Sequence, residues 1–147
     1  MNTIGKNINI LYRQFNLFLN HELSGVELNS TDLMYLGTLF IEDGVTQDDL
    51  AKDFCVDKAA TARSMQNLEK KGIIIRKPDE SDRRAKRVYL TDKAYKYKPL
   101  MESIQKKWMK ICNTPMNDEE VIQFEKNLEI ITEHVKLING IDDKEGQ

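Results

Sequence analysis

Apolar side chains recur at spacings of three and four along most of this chain, and in one short stretch the period drops to two. The first pattern is that of helices with one buried face, and the second that of a half-buried β hairpin. Residues 4 to 23 place Ile4, Ile8, Leu11, Phe15, Phe18 and Leu19 on a wide apolar side, and Ser24-Gly25 ends that helix. A second helix is predicted after Asn29-Ser30, with Ser30 or Thr31 as its cap, running through Leu33, Leu36, Leu39 and Phe40 to Asp43-Gly44. A short third begins at Thr46, with Asp49 where a capping box puts its acid and Leu50, Ala51 and Phe54 as the buried side. Asp57 caps the fourth, which aligns Thr61, Met65 and Leu68 on one face. It ends in Lys70-Lys71-Gly72, two cations at the negative end of the helix and a glycine for a left-handed exit.

After Gly72 the chain reads Ile73-Ile74-Ile75, then Lys77-Pro78-Asp79-Glu80-Ser81-Asp82-Arg83-Arg84-Ala85-Lys86, then Arg87-Val88-Tyr89-Leu90. β-Branched residues flank a segment rich in Pro, Asp and Ser, which predicts two strands joined by an extended loop. Thr91 is expected to cap a long helix to about Cys112, kinked or broken at Pro99. The last helix starts near Asn117 or Asp118 and carries Val121, Ile122, Phe124, Leu128, Ile131, Val135 and Ile138, with Asn139-Gly140 as its stop. Seven Gly and three Pro among 147 residues, with 31% of residues charged, agree with a mainly α fold broken by one small hairpin. Short helix, turn, capped helix and hairpin in that order make a winged helix-turn-helix, whose second helix fits a major groove while the hairpin reaches toward the neighbouring minor groove.

Other classes find little support. The longest apolar run is Leu33-Met34-Tyr35-Leu36, far below the ~20 residues of a membrane span, and no apolar segment follows a basic start. A cytoplasmic protein is expected, with no membrane partner. P-loop, GxGxxG, HExxH and GxSxG patterns are all missing, so neither an enzyme nor a cofactor is expected. His21 and His134 lack a second His at i+4, so no metal is expected, and an acid-only site is the alternative left open. Cys55 and Cys112 stand far apart with no CxxC, and both are expected as small buried hydrophobes.

The net charge of −2 argues against nucleic acid only until it is divided along the chain. Between Lys58 and Lys98, 13 basic side chains stand against 5 acidic ones, an excess of eight positive charges, and the remainder of the chain holds 9 basic and 19 acidic ones. A basic face on an acidic body suits a surface that neutralises phosphates.

Val56-Asp57-Lys58-Ala59, Leu68-Glu69-Lys70-Lys71-Gly72-Ile73 and, most specifically, Asp82-Arg83-Arg84-Ala85-Lys86-Arg87-Val88-Tyr89-Leu90-Thr91 resemble the MarR family of bacterial transcriptional regulators. The likeness extends over nearly the whole chain. It implies a homodimeric regulator of double-stranded DNA, commonly a repressor released by a small molecule or by oxidation. The organisation it suggests is one domain over residues 1–147. Helices at 1–28 and 92–139 would dimerise, a winged helix-turn-helix would occupy 30–91, and a flexible acidic tail would occupy 140–147. Broad apolar sides on the first and last helices agree with pairing across a two-fold axis.

With Thr61, Met65 and Leu68 turned inward, the fourth helix offers Lys58, Ala59, Ala60, Ala62, Arg63, Gln66 and Asn67 outward. Arg63 suits guanine O6/N7 or phosphate, and Gln66 suits adenine. In the resemblance, Asp82 and Arg84 match an acid that braces a basic side chain probing the minor groove, with Arg83 as the alternative probe. Lys70, Lys71, Arg76, Lys77, Lys86 and Arg87 are expected to position phosphates or simply to be solvated. Oxidation-sensing relatives carry a cysteine in the first helix, and none occurs here before Cys55. The expected signal is therefore a small-molecule effector, in a cleft that Tyr12, Met34, Tyr35, Met65 or Met109 would line. The alternatives are a thiol-based sensor and a winged-helix module that binds protein. Relatives commonly have Ser or Thr where this chain has Ala59, Ala60 and Ala62, so hydroxyl donors give way to methyl groups that can touch thymine. The expected operator is A·T-rich and read partly by shape. Selection from random DNA checks this, and recovery of G·C-rich half-sites would contradict it.

Overall fold

The structure is a computed structural model that describes residues 3–145. Seven helices and two strands follow in order: α1 (Thr3–Glu22), α2 (Ser30–Ile41), α3 (Gln47–Asp53), α4 (Lys58–Lys70), β1 (Ile74–Pro78), β2 (Lys86–Leu90), α5 (Asp92–Tyr95), α6 (Lys98–Asn113) and α7 (Asp118–Glu145). The chain divides into two compact units after Ile104.

In the first unit the predicted helices form where the pattern puts them, with one change of cap. Asn29, rather than Ser30 or Thr31, starts α2: its side chain accepts from the Asp32 amide at 2.9 Å and the Asp32 carboxylate accepts from the Asn29 amide at 3.0 Å. Asp32 is not merely a cap, because the Lys71 ammonium sits 2.7 Å from its Oδ2 and ties the start of α2 to the end of α4. Thr46 and Asp49 form the capping box expected of α3, and the Asp57 carboxylate accepts from the Ala60 amide at 2.8 Å. At the far end of α4, Gly72 takes φ +72°, a left-handed conformation that glycine adopts without steric cost.

The core lies among α2, α3, α4 and the hairpin. Tyr35, Leu36, Leu39, Leu50, Met65, Leu68, Ile73, Ile74 and Val88 are wholly buried, with Leu100, Met101 and Ile104 of α6 packed in or against the same cluster. Tyr35, expected to line a cleft, belongs to the core. Its ring meets Phe54 edge-on at 5.5 Å, and its hydroxyl lies 3.0 Å from Thr61 Oγ1, so the one polar group in the middle of α4's inner face is satisfied.

The strands pair antiparallel from Ile74 opposite Leu90 to Pro78 opposite Lys86, which leaves a loop of residues 79–85. It is shorter than the segment from Lys77 to Lys86 that composition alone suggests, since Lys77, Pro78 and Lys86 all take part in pairing. Pro78 can do so because β1 pairs with β2 alone, and an edge strand tolerates a residue without an N–H. On its other side β2 is held by the chain between α2 and α3. The Gly44 amide donates to the Val88 carbonyl and the Val88 amide to the Val45 carbonyl, both at 2.9 Å, and Asp43 Oδ1 accepts from the Leu90 amide at the same distance. Gly44 stands at φ +81°, and a Cβ there would come within 2.8 Å of Tyr89 Cε1, so the position requires glycine twice over.

Thr91 occupies the predicted N-cap, yet its hydroxyl donates instead toward the carbonyls of Gly72 and Ile73 at 2.6 and 3.0 Å, joining the hairpin's exit to its entry. The long helix expected after it breaks in two at Lys96-Tyr97. Pro99 then falls in the first turn of α6, where its missing N–H has no partner to lose. Tyr97 donates to Glu27, and Lys93 Nζ lies 2.8 Å from the same carboxylate. Tyr97 is thereby pushed up to about 12, mainly by that bond.

In the second unit α7 opens on a capping box in which Asn117 and Glu120 exchange bonds of 2.9 and 3.0 Å. It continues through Asn139 and Gly140, the expected stop, to Glu145. The last two residues of the expected flexible tail lie outside the described residues. Ile122, Phe124, Leu128, Ile131, Val135 and Ile138 are all exposed. Replacing Met65 by alanine removes a wholly buried side chain and should cost about 2–5 kcal/mol of unfolding free energy. Denaturant titration measures it, and a loss below ~1 kcal/mol would contradict core packing at this position.

Candidate nucleic-acid interface

The interface is built on α4, because its inner face leaves no freedom in how the outer one points. Thr61, Met65 and Leu68 are buried as predicted, and on the opposite side Lys58, Ala59, Arg63, Gln66 and Asn67 are exposed. Ala60 and Ala62 are half-buried, so Ala59 alone of the three alanines is open to a groove. The side chains of Arg63 and Gln66 hold no hydrogen bond or ion pair among the described residues, whereas Lys58 pairs with Asp48 at 3.2 Å on the surface. In the turn before α4, Cys55 takes φ +52° and is exposed, contrary to the buried position expected of it. Cys112 is half-buried, and burial pushes its thiol up.

The wing departs from the expected pattern in its bracing pair. Asp82 accepts from the Arg84 amide at 3.0 Å and forms no ion pair with the guanidinium. The acid that turns inward is Asp79, 8% exposed, and the base it holds is Arg87, through Nε to Oδ1. Asp79 Oδ2 also accepts from the Ser81 hydroxyl at 2.6 Å and from the amides of Ser81 and Asp82 at 3.2 and 3.0 Å. Arg87 Nη1 continues to the Gly44 carbonyl at 2.7 Å. Arg83, Arg84 and Lys86 are exposed, and their side chains are without a hydrogen bond or ion pair among the described residues.

Three further cations expected to meet phosphate or solvent are tied internally. Arg76 fastens the hairpin to both helices of the helix-turn-helix: Nη2 lies 3.0 Å from Glu69 Oε1 on α4, and Nη1 donates to Gln47 Oε1 on α3 at 2.9 Å. Lys71 and Arg87 are the other two, and Lys77 lies 5.5 Å from the centre of the Tyr89 ring. The Arg76 bond holds the Glu69 carboxyl below its ordinary value. A sequence can announce a turn-rich loop through Pro, Asp and Ser, but which of Asp79, Glu80 and Asp82 faces inward depends on the loop's path. Of the residues expected to line an effector cleft, Tyr35 and Met65 are wholly buried core, Met34 is half-buried, and Tyr12 and Met109 are exposed. Among the described residues no group of His, Cys, Asp or Glu gathers to hold a metal, and no helix is long and apolar enough to cross a membrane.

A braced hairpin beside a helix whose outer face is polar and partly cationic defines a winged helix-turn-helix. Residues 28–86 match the model of the MarR family. The structure resembles that of a MarR transcriptional regulator from Methanosarcina mazei Go1, with TM-score 0.86 and 33% identity over 94% of this chain and 99% of that one. In sequence the chain is 28% identical to YybA of Bacillus subtilis strain 168, an uncharacterized HTH-type transcriptional regulator, over 97% of this chain and 99% of that protein. S. aureus MepR, solved as a complex with DNA, shares the fold with TM-score 0.82 at 24% identity, over 91% of this chain and 99% of that one. The chain belongs to the MarR family and is a transcriptional regulator of the winged-helix type.

The Ser81 hydroxyl, Arg87 and the Asp82 amide hold the Asp79 carboxyl well below its ordinary value of 3.8. A carboxyl lowered on folding stabilises the fold above its ordinary value, and that contribution is lost only as pH falls through the lowered one. The side-chain carboxyl carbon resonance of Asp79 should therefore stay at its ionised position from neutral pH down to 3.8. A titration midpoint at the ordinary value, followed by NMR, would contradict the brace.

Proposed function

We propose that the protein binds a pseudo-palindromic operator of double-stranded DNA as a homodimer, acts as a repressor, and is released by a small-molecule effector. The observation that carries the DNA reading is the sorting of cations in the winged unit. Lys71, Arg76 and Arg87 are occupied within the protein, while Arg63, Arg83 and Arg84 stand exposed and unoccupied among the described residues. In this reading Arg63 meets guanine or phosphate and Gln66 meets adenine in the major groove. Lys58 and Ala59 line the same approach, with Ala60 and Ala62 half-buried behind them, Arg83 or Arg84 enters the minor groove beside Asp82, and Lys86 meets phosphate. That MepR is solved with DNA supports the same use of the shared fold.

Homodimerisation is supported by exposed apolar side chains, Ile8 and Leu11 on α1 in the first unit and Ile122, Leu128, Ile131 and Val135 on α7 in the second. Two subunits would set two recognition helices about one helical turn apart, on a site of ~16 to 20 bp. Residues 1–147 then act as one domain, with the ends serving the dimer. Exposure of Cys55 beside α4 favours oxidation as a second signal. Release of DNA by diamide that Cys55→Ser abolishes would establish it over the small molecule.

Sedimentation at micromolar concentration should give a dimer. On a duplex that the wild-type protein recovers from a random library, Arg63→Ala and the double variant Arg83→Ala/Arg84→Ala should each weaken binding by about tenfold or more. A monomer that binds DNA as such would overturn the first part. Undiminished affinity in both variants, with folding intact, would overturn the second, and a wild type that enriches no duplex from the library would favour a protein-binding module.

A further inference from the structure

The tip of the wing is organised around one carboxylate. Asp79 gathers the hydroxyl and amide of Ser81, the amide of Asp82 and Arg87 Nε. Around it the loop closes on itself, with the Asp79 amide donating to the Ala85 carbonyl at 2.9 Å and the Ala85 amide to the Asp82 carbonyl at 3.0 Å. Arg83 and Arg84 are the two residues left between these closures, and both point into solvent. Arg87 carries the anchorage outward to the Gly44 carbonyl, at 2.7 Å, in the segment that joins α2 to α3. The guanidinium thus spans two sites at once, the loop by one nitrogen and the body of the winged unit by another, which a point-charge ammonium cannot do.

We propose that the Asp79–Arg87 clasp is the positioning device for minor-groove reading, fixing the loop so that Arg83 and Arg84 are presented before DNA arrives. The proposal rests on the reading of the wing as a DNA contact. A free loop of residues 79–85 loses conformational entropy on binding for each residue it must order. A loop already ordered avoids that loss. The loop also has no apolar side chain larger than the methyl of Ala85 to bury, being Asp-Glu-Ser-Asp-Arg-Arg-Ala, so polar bonds to a single centre are the main means available for ordering it.

The sign of one substitution separates this from simple electrostatics. Asp79→Asn removes a negative charge from a face proposed to lie along DNA and releases the cation of Arg87, both of which favour tighter binding by Coulomb attraction alone. Positioning requires the opposite. The full-length wild type, Asp79→Asn, Arg87→Lys and Arg83→Ala/Arg84→Ala would be titrated against a duplex recovered by the wild type from a random library. A second duplex would carry the same half-site cores with G·C base pairs in place of the A·T flanks. The wild type should prefer the first duplex. Asp79→Asn should lose about tenfold on it and little on the second, so that flank discrimination collapses while core affinity stays. Arg87→Lys, which keeps the charge and loses the fork, should behave like Asp79→Asn. Melting midpoints within a few degrees of the wild type separate this from loss of the fold. Should Asp79→Asn not fold, Arg87→Lys gives the same reading. Equal or tighter binding by Asp79→Asn, or unchanged flank discrimination in a folded Arg87→Lys, overturns the clasp while a loss in the double arginine variant leaves the wing reading intact. A wild type indifferent to the flanks, with a double variant of full affinity, overturns both.

Discussion

Thirteen residues of α4, with a polar outer face, are too few to hold a helix in water by themselves, so the burial of Thr61, Met65 and Leu68 is what keeps α4 in being. Everything the helix offers to a partner depends on that burial. Thr61 meets Tyr35, Met65 and Leu68 join the cluster of α2, α3 and the hairpin, and the opposite side is then fixed as Lys58, Ala59, Arg63, Gln66 and Asn67. A slip of one position would put Ala62 and Gln66 into the core, which would bury an amide without a partner. Helix orientation and surface chemistry are two sides of one packing constraint.

Charge obeys a similar division of labour. Net excess of cation in the winged unit looks from composition like a single basic patch, yet the side chains serve two purposes. Arg76 clamps the hairpin to α3 and α4, Lys71 fastens α4 to the start of α2, and Arg87 fixes the wing tip to the turn after α2. These ties make α4 and the wing one body. The arginines left over, Arg63, Arg83 and Arg84, are then carried at fixed places on it.

Much of this was legible in the sequence. Apolar spacing located α1 to α4, capping residues placed the starts of α3 and α4, and the change of period after Gly72 located the hairpin. Local signals failed where a tertiary partner decides. Asn29 took the cap because Asp32 could answer it from within α2, and α7 ran on through Asn139-Gly140 because glycine permits a helix end without enforcing one. The wing acid was assigned to Asp82, but Asp79 lies where the loop's path brings it against Arg87 on the paired strand. Cys55 was expected inside and is exposed, since the tight turn between α3 and α4 carries it outward on a left-handed backbone.

Unoccupied cations of the winged unit, carried on a chain that is acidic as a whole, are proposed to meet the phosphate backbone. Affinity of the wild-type protein for a duplex recovered from random DNA, measured against salt concentration, tests this most directly. Each neutralised phosphate adds about −0.9 to the slope of log affinity against log salt, so several contacts from two subunits predict a slope of about −4 or steeper. A slope near zero would contradict the account.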